Sequence, residues 1–347
     1  MNRRQFSRQL GLATAAAGLL DLHAAETKKP ARVRSPKHWL WTGVDAHLTA
    51  DAQKKRFDQW RAAGIRAVLF SGADDGVFKL ARQHGLETHA WMWTLCRGDF
   101  CKDHPEYYDV SRLGASAADK PPYVDYYHFL CPSRTESQDF VAKNVHDLCR
   151  FEHLDGVHLD YVRYPDVILP IALWKKYNLV QNEELPPFDF CYCEVCRAAF
   201  KRAHGRDPLE LKDPAADADW RQYRYDSVTR LVNRAVDVAH AGGKKITAAV
   251  FPTPSMARKM VRQDWARWNL DAVLPMTYHS FYNEPVEWIE KAVREGVEAL
   301  PADRPLYAGL YLPDIKNDAE FGRAVKAAMA GGAAGVSLFG GVRKIKT

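Results

Sequence analysis

Residues 65–95 read IRAVLFSGADDGVFKLARQHGLETHAWMWTL. Ile65–Ser71 is a short run of apolar and β-branched residues, the pattern of a buried strand. Asp75–His84 reads as a helix closed by Gly85, and Leu86–Leu95 is a second apolar, aromatic strand. Two strands joined by a helix within 31 residues are a parallel crossover unit. The same beat runs outward in both directions. Upstream lie a strand-like run at Trp39–His47 and a helical pattern at Ala52–Ala63. Downstream, after a long loop to about Pro132, come a helix at Glu136–Arg150 and a strand at Gly156–Tyr164. An irregular insertion (166–217) follows, then helix Asp219–Ala241, stopped by Gly242-Gly243. The remaining strands are Lys245–Phe251, Asp271–Tyr278, Pro305–Leu312 and Gly335–Phe339. Helices at Met256–Trp268, Pro285–Glu295 and Ala319–Ala330 separate them. Eight strands alternating with helices predict an α/β fold, a (β/α)8 TIM barrel carrying a Cys-containing insertion after strand 4. A doubly wound sheet is the rival, but no Gly-x-Gly-x-x-Gly follows the first strand.

The chain has 347 residues, 47% hydrophobic and 27% charged, so it can bury a core without disulfides or metals. No apolar run reaches the roughly 18–20 residues of a membrane span. The net charge of +6 is mild for this length and argues against electrostatic capture of nucleic acid. Residues 1–25 form a basic start (Arg3, Arg4, Arg8) followed by a short, weakly apolar stretch, Leu10–Leu20. The adjacent arginines with Phe6 resemble a twin-arginine export signal, with a cleavage site near Ala24-Ala25. That resemblance implies passage through the twin-arginine translocase, periplasmic or extracellular residence, and no stable membrane span after cleavage. Residues 26–38 are a connector, and the barrel occupies 39–347.

In such a barrel the chemistry sits where strands end at their C-terminal side. The fourth strand reads DGVHLDYVRYP (155–165). Alternation puts His158 and Asp160 on one face and Val157, Leu159 and Tyr161 on the other. An acid and an imidazole within an apolar strand need partners or a wet cavity. The bland alternative is an Asp160–Arg163 ion pair that only locks a loop. Asp45, at the end of the first strand, is the preferred second carboxylate, ahead of Asp314 and Glu284; a helix-capping or ion-pairing role is its alternative. His47, His158, Arg163 and His279 are candidates for holding hydroxyl groups. Trp93, Tyr278 and Tyr311, near the strand ends, suit the C–H faces of sugar rings, with packing left open. For Trp39 and Trp41 packing is preferred.

DGVHLDYVRYP, together with QDWARWNLDAVLPMTYHSF (263–281), resembles the glycosyl hydrolase-like family 10, a family related to TIM-barrel glycosidases. The resemblance runs from about Trp39 to the end. It implies an exported enzyme or lipoprotein that cleaves glycosidic bonds of an oligo- or polysaccharide, with Asp160 as the main catalytic residue and no cofactor required. The first strand departs from the family, reading GVDAH where an arginine–tryptophan pattern is usual. A chitinase-type Asp-x-x-Asp-x-Asp-x-Glu pattern fails, because Val162 stands where the acid must be. The alternative function is a degenerate barrel that binds glycan without cleaving it.

Seven cysteines are an odd number. Cys191, Cys193 and Cys196 form Cys-x-Cys-x-x-Cys in the insertion, half of a zinc knuckle. Cys101, Cys96, Cys131 or His204 could supply a fourth ligand to a structural zinc; disulfides and free thiols are the competing accounts.

Overall fold

The computed structural model describes residues 36–45 and 47–346. The leader, with its twin-arginine motif, and most of the connector lie outside the described residues. Eight parallel strands form the sheet: β1 (His38–Gly43), β2 (Ile65–Ser71), β3 (Glu87–Trp93), β4 (Gly156–Asp160), β5 (Lys245–Val250), β6 (Ala272–Pro275), β7 (Tyr307–Tyr311) and β8 (Gly335–Phe339). Their order is β6-β5-β4-β3-β2-β1-β8-β7. The ring closes between β6 and β7 through one parallel bridge, Val273 to Leu306, beside the Val273 N to Pro305 O bond. This is the (β/α)8 barrel expected from the alternating pattern. The helices are α1 (Ala50–Ala62), α2 (Asp75–Gln83), α3 (Thr135–Cys149), α4 (Glu194–His204), α5 (Ala218–Ala241), α6 (Pro254–Val261), α7 (Trp288–Ala299) and α8 (Asp318–Ala330). Thr49, Asp74, Asp217 and Asn317 cap α1, α2, α5 and α8, each side chain accepting an otherwise orphaned amide of the first turn.

Two cores result. Phe57, Phe70, Phe78, Val157, Leu159, Leu231 and Val293 pack between the strands and the outer helices. A second cluster, Trp39, Trp41, Ala67, Leu69, Leu274 and Tyr307, fills the barrel itself. Period-2 alternation therefore sends one face of each strand to each core.

Three local expectations change. β4 stops at Asp160, four residues early, because Tyr161 turns to φ 49° and its amide bonds the Asp160 carboxylate. Strand alternation thus does not extend to Val162–Tyr164. The helix expected at Met256–Trp268 begins at Pro254 and ends at Val261, where Arg262 adopts φ 58°; a 3-10 turn, Trp265–Arg267, follows. The insertion is not wholly irregular. It carries the 11-residue helix α4, whose first turn falls inside the cysteine motif and is closed by Gly205 at φ 74°.

Candidate active site

A cavity of about 290 Å³ opens at the C-terminal ends of the strands. That lies at the small end of ligand pockets, roughly 300–1,000 Å³. Trp41, Trp91 and Phe339 line it from β1, β3 and β8, and Tyr278 and Tyr311 from the ends of β6 and β7. The loop after β4 adds Tyr161, Arg163 and Asp166, and the start of the insertion adds Leu169, Pro170 and Leu173. The rings form a continuous wall. Tyr278 and Tyr311 each stack on Phe339, at 6.3 and 5.8 Å between ring centres. Trp93 lies 4.6 Å from the Tyr161 ring and, at 39% exposed, stands at the rim.

Asp160 points into this wall. It is 9% exposed, and two donors hold its carboxyl: the Trp91 indole N–H on Oδ2 at 3.0 Å and the Tyr161 amide on Oδ1 at 2.7 Å. Burial raises its pKa above the ordinary aspartate value, although both donors and the more distant Arg163 favour the charged form. Desolvation outweighs two hydrogen bonds because the carboxyl is buried in a largely aromatic wall. The result is a carboxyl that keeps its proton to higher pH than an exposed aspartate, as a general acid requires.

Arg163 does not pair with Asp160. Its guanidinium bonds Asp166 Oδ2 at 2.9 Å and the Tyr164 carbonyl at 2.9 Å, and reaches the Tyr127 hydroxyl at 3.4 Å. It is also ringed by Tyr127, Phe129, Tyr161 and Phe251 at 5.2–5.8 Å. Burial disfavours its charge, but Asp166 and the flanking tyrosines more than restore it and keep the guanidinium charged. Asp166 is thus the second carboxylate of the cavity, and the loop-locking ion pair belongs to it rather than to Asp160.

Of the other candidates from sequence, Trp93, Arg163, Tyr278 and Tyr311 line the cavity with Asp160. Asp45, His47, His158 and His279 do not, and each placement has a physical reason. Asp45 Oδ1 accepts the His47 amide in a turn two residues long, and the Asp45 carbonyl accepts from Gln53. Asp45 therefore shapes the entry to α1, and His47 is exposed on that turn. His158 shares a face with Asp160, as alternation requires, but one layer deeper. Its Nδ1 meets Thr247 Oγ1 at 2.8 Å, and its ring abuts Trp41 edge to face at 4.7 Å. Full burial, reinforced by His89, holds its pKa well below the usual histidine value, so the ring is neutral. His279, half-buried on the 3-10 turn after β6, is not among the residues that line the cavity. Of the two reserve acids, Asp314 accepts the Ser280 hydroxyl and Glu284 is exposed. Trp41, read as packing, does both: it bonds Ser337 inside the barrel and forms part of the cavity floor.

Asp166, Tyr127 and the Leu169–Leu173 segment were not legible as site residues. The only available signal for Asp166 was its position three residues after Arg163, and it comes into play only once the chain turns at Tyr161. Away from the cavity, the Sγ atoms of Cys131, Cys191, Cys193 and Cys196 lie within 4.8 Å of one another, all buried. Cys96 instead donates to the Tyr126 carbonyl, and His204 stacks on Phe200.

The sequence pattern of the glycosyl hydrolase-like 10 family matches residues 72–322. The chain belongs to that family. The match spans β3, β4 and β6, and so most of the cavity wall of this glycosyl hydrolase-like 10 protein. No functionally curated protein matches it. Among solved structures, the PgaB (BpsB) glycoside hydrolase domain from Bordetella bronchiseptica superposes with a TM-score of 0.59 at 14% identity, covering 88% of this chain and 94% of that one. The catalytic domain of a β-amylase from Paenibacillus polymyxa gives 0.55 at 13%, covering 88% and 92%. A β-galactosidase from Halorubrum lacusprofundi gives 0.62 at 13%, covering 87% of this chain and 52% of the enzyme. At such identities the likeness is one of fold. Among the described residues, no helix is long and apolar enough to cross a membrane.

Proposed function

We propose that this glycosyl hydrolase-like 10 protein is a glycoside hydrolase acting on O-glycosidic bonds of an oligo- or polysaccharide, exported through the twin-arginine translocase. The observation that carries the activity is the raised, doubly hydrogen-bonded carboxyl of Asp160 in an aromatic cavity at the barrel mouth. Asp160 gives its proton to the leaving glycosidic oxygen as the C1–O bond breaks. A water oxygen joins C1 and its proton passes to a carboxylate. Asp166 takes the place of Asp45 as the proposed second acid, because it shares the cavity and Asp45 does not. Arg163 holds Asp166 in place. Trp93, Tyr161, Tyr278 and Tyr311 offer ring faces to the sugar, and the tyrosine hydroxyls offer hydrogen bonds. Export rests on the arginine pair and the apolar stretch of the leader.

The test is release of reducing ends from a panel of oligosaccharides by the purified chain. Asp160→Asn should lower turnover by at least about 100-fold, the low end of what acid–base catalysis contributes. Unchanged turnover in that variant would remove Asp160 from the mechanism. One observation favours a second reading, a barrel that binds glycan without cleaving it: the second carboxylate is already committed to a guanidinium. Saturable glycan binding with no product over the whole panel would select that reading.

A further inference from the structure

We propose that Cys131, Cys191, Cys193 and Cys196 form a structural zinc site that staples the insertion to the loop before α3. The sequence contributed three of these residues in one short motif. The fold contributes the fourth from 60 residues upstream, just after the antiparallel bridges Cys96–Phe129 and Tyr108–Leu130. Cys131 Sγ lies 3.5 Å from Cys196 Sγ and 3.8 Å from Cys193 Sγ. Four sulfurs placed tetrahedrally at a Zn–S distance of about 2.3 Å stand roughly 3.8 Å apart. A disulfide brings its two sulfurs to about 2.05 Å, nearer than either pair. All four side chains are buried, with their sulfurs gathered within 4.8 Å of one another.

The surroundings suit a cluster of thiolates. The amides of Val110 and Cys193 point at Cys191 Sγ, at 3.3 and 3.4 Å. Cys193 is the N-cap of α4 and Cys196 lies in its first turn, so the positive end of the helix faces both sulfurs. The buried guanidinium of Arg134 pairs with Glu194 and lies within electrostatic reach of Cys193 and Cys131. The buried Tyr164 hydroxyl has no hydrogen-bond partner and lies within electrostatic reach of Cys196, Cys131, Cys191 and the buried Asp109.

That tyrosine stands between the cluster and the loop that carries cavity residues. Tyr164 is one residue from Arg163, whose guanidinium bonds the Tyr164 carbonyl and Asp166. The zinc site would therefore sit behind the loop that carries two cavity residues, while taking no part in the chemistry. It stands independently of whether the barrel is a hydrolase.

The full chain, purified without chelator, should carry about one zinc by elemental analysis, released on titration with p-hydroxymercuribenzoate and read with a chromogenic chelator. Cobalt substitution should produce the thiolate-to-metal charge-transfer band of a tetrahedral sulfur site. Cys131→Ser should lower zinc to below about 0.2 equivalents, whereas Cys101→Ser, outside the cluster, should retain it. Mercurial-triggered release from the unaltered protein keeps the test decisive if Cys131→Ser does not fold. Less than about 0.2 zinc per chain after purification in zinc-supplemented medium, or disulfides among these four cysteines by peptide mass mapping, would overturn the site.

Discussion

Trp91→Phe isolates one of the two donors on Asp160 while keeping a ring in the cavity wall. The indole N–H bonds Oδ2 at 3.0 Å; the Tyr161 amide on Oδ1 is backbone and survives the change. A hydrogen bond to a charged group contributes about 1.5–3 kcal/mol. One pH unit corresponds to about 1.36 kcal/mol, so losing this donor moves the Asp160-controlled limb of the kcat/KM profile upward by about 1–2 pH units. The direction is fixed, because the bond favours the carboxylate and its loss favours the acid. Which limb moves reports the role. If Asp160 acts as the acid, the alkaline limb shifts up and the enzyme stays active to higher pH; if it acts as nucleophile or base, the acidic limb shifts up. The assay is reducing-end release over a pH series on any glycan that Asp160→Asn fails to cleave. Trp93→Phe, at the rim and without a bond to Asp160, serves as the control and should change KM without moving either limb. A profile displaced downward, or unmoved while kcat/KM falls, would refute the claim that this indole tunes Asp160.

Asp160→Asn should also be more stable than the parent at neutral pH. A raised folded-state pKa contributes stability below the unfolded aspartate value of about 3.9 and loses it as pH rises through the folded value, so the gain should vanish in acid; urea melts at pH 3 and pH 7 check it. Arg163→Met strands the buried Asp166 carboxylate and should destabilise the fold by about 3–5 kcal/mol at pH 7, measured by the same melts. Adding Asp166→Asn to it should recover part of that loss; an additive double variant would argue against the pair. Gly309→Ala places a methyl group 2.8 Å from the Pro275 carbonyl, at the seam where β6 and β7 barely pair, and should cost about 1–3 kcal/mol in thermal unfolding experiments.

The histidines show where linear reasoning stops. Parity along β4 assigns His158 and Asp160 to the same face, and they share it. Parity carries no height, however, and the 6–7 Å rise between the two residues (about 3.3 Å each) separates a cavity wall from a packed layer. Asp45 shows the same limit in another form: a strand-end acid can turn inward, or it can bond the next turn, and the first strand's own sequence does not choose.

Periodicity determined the barrel, because burial on both faces of every strand writes itself into composition, and the cysteine triplet announced a ligand set without its fourth member. Only the tertiary structure decided that Arg163 belongs to Asp166, that Trp91 reaches across from β3 to hold Asp160, and that Cys131 completes the cluster. Each of these pairings joins segments whose proximity depends on the φ 49° turn at Tyr161 or on the closed circuit of strands. Side chains meet according to distances in space, and a chain encodes those distances only through the packing of all its parts together.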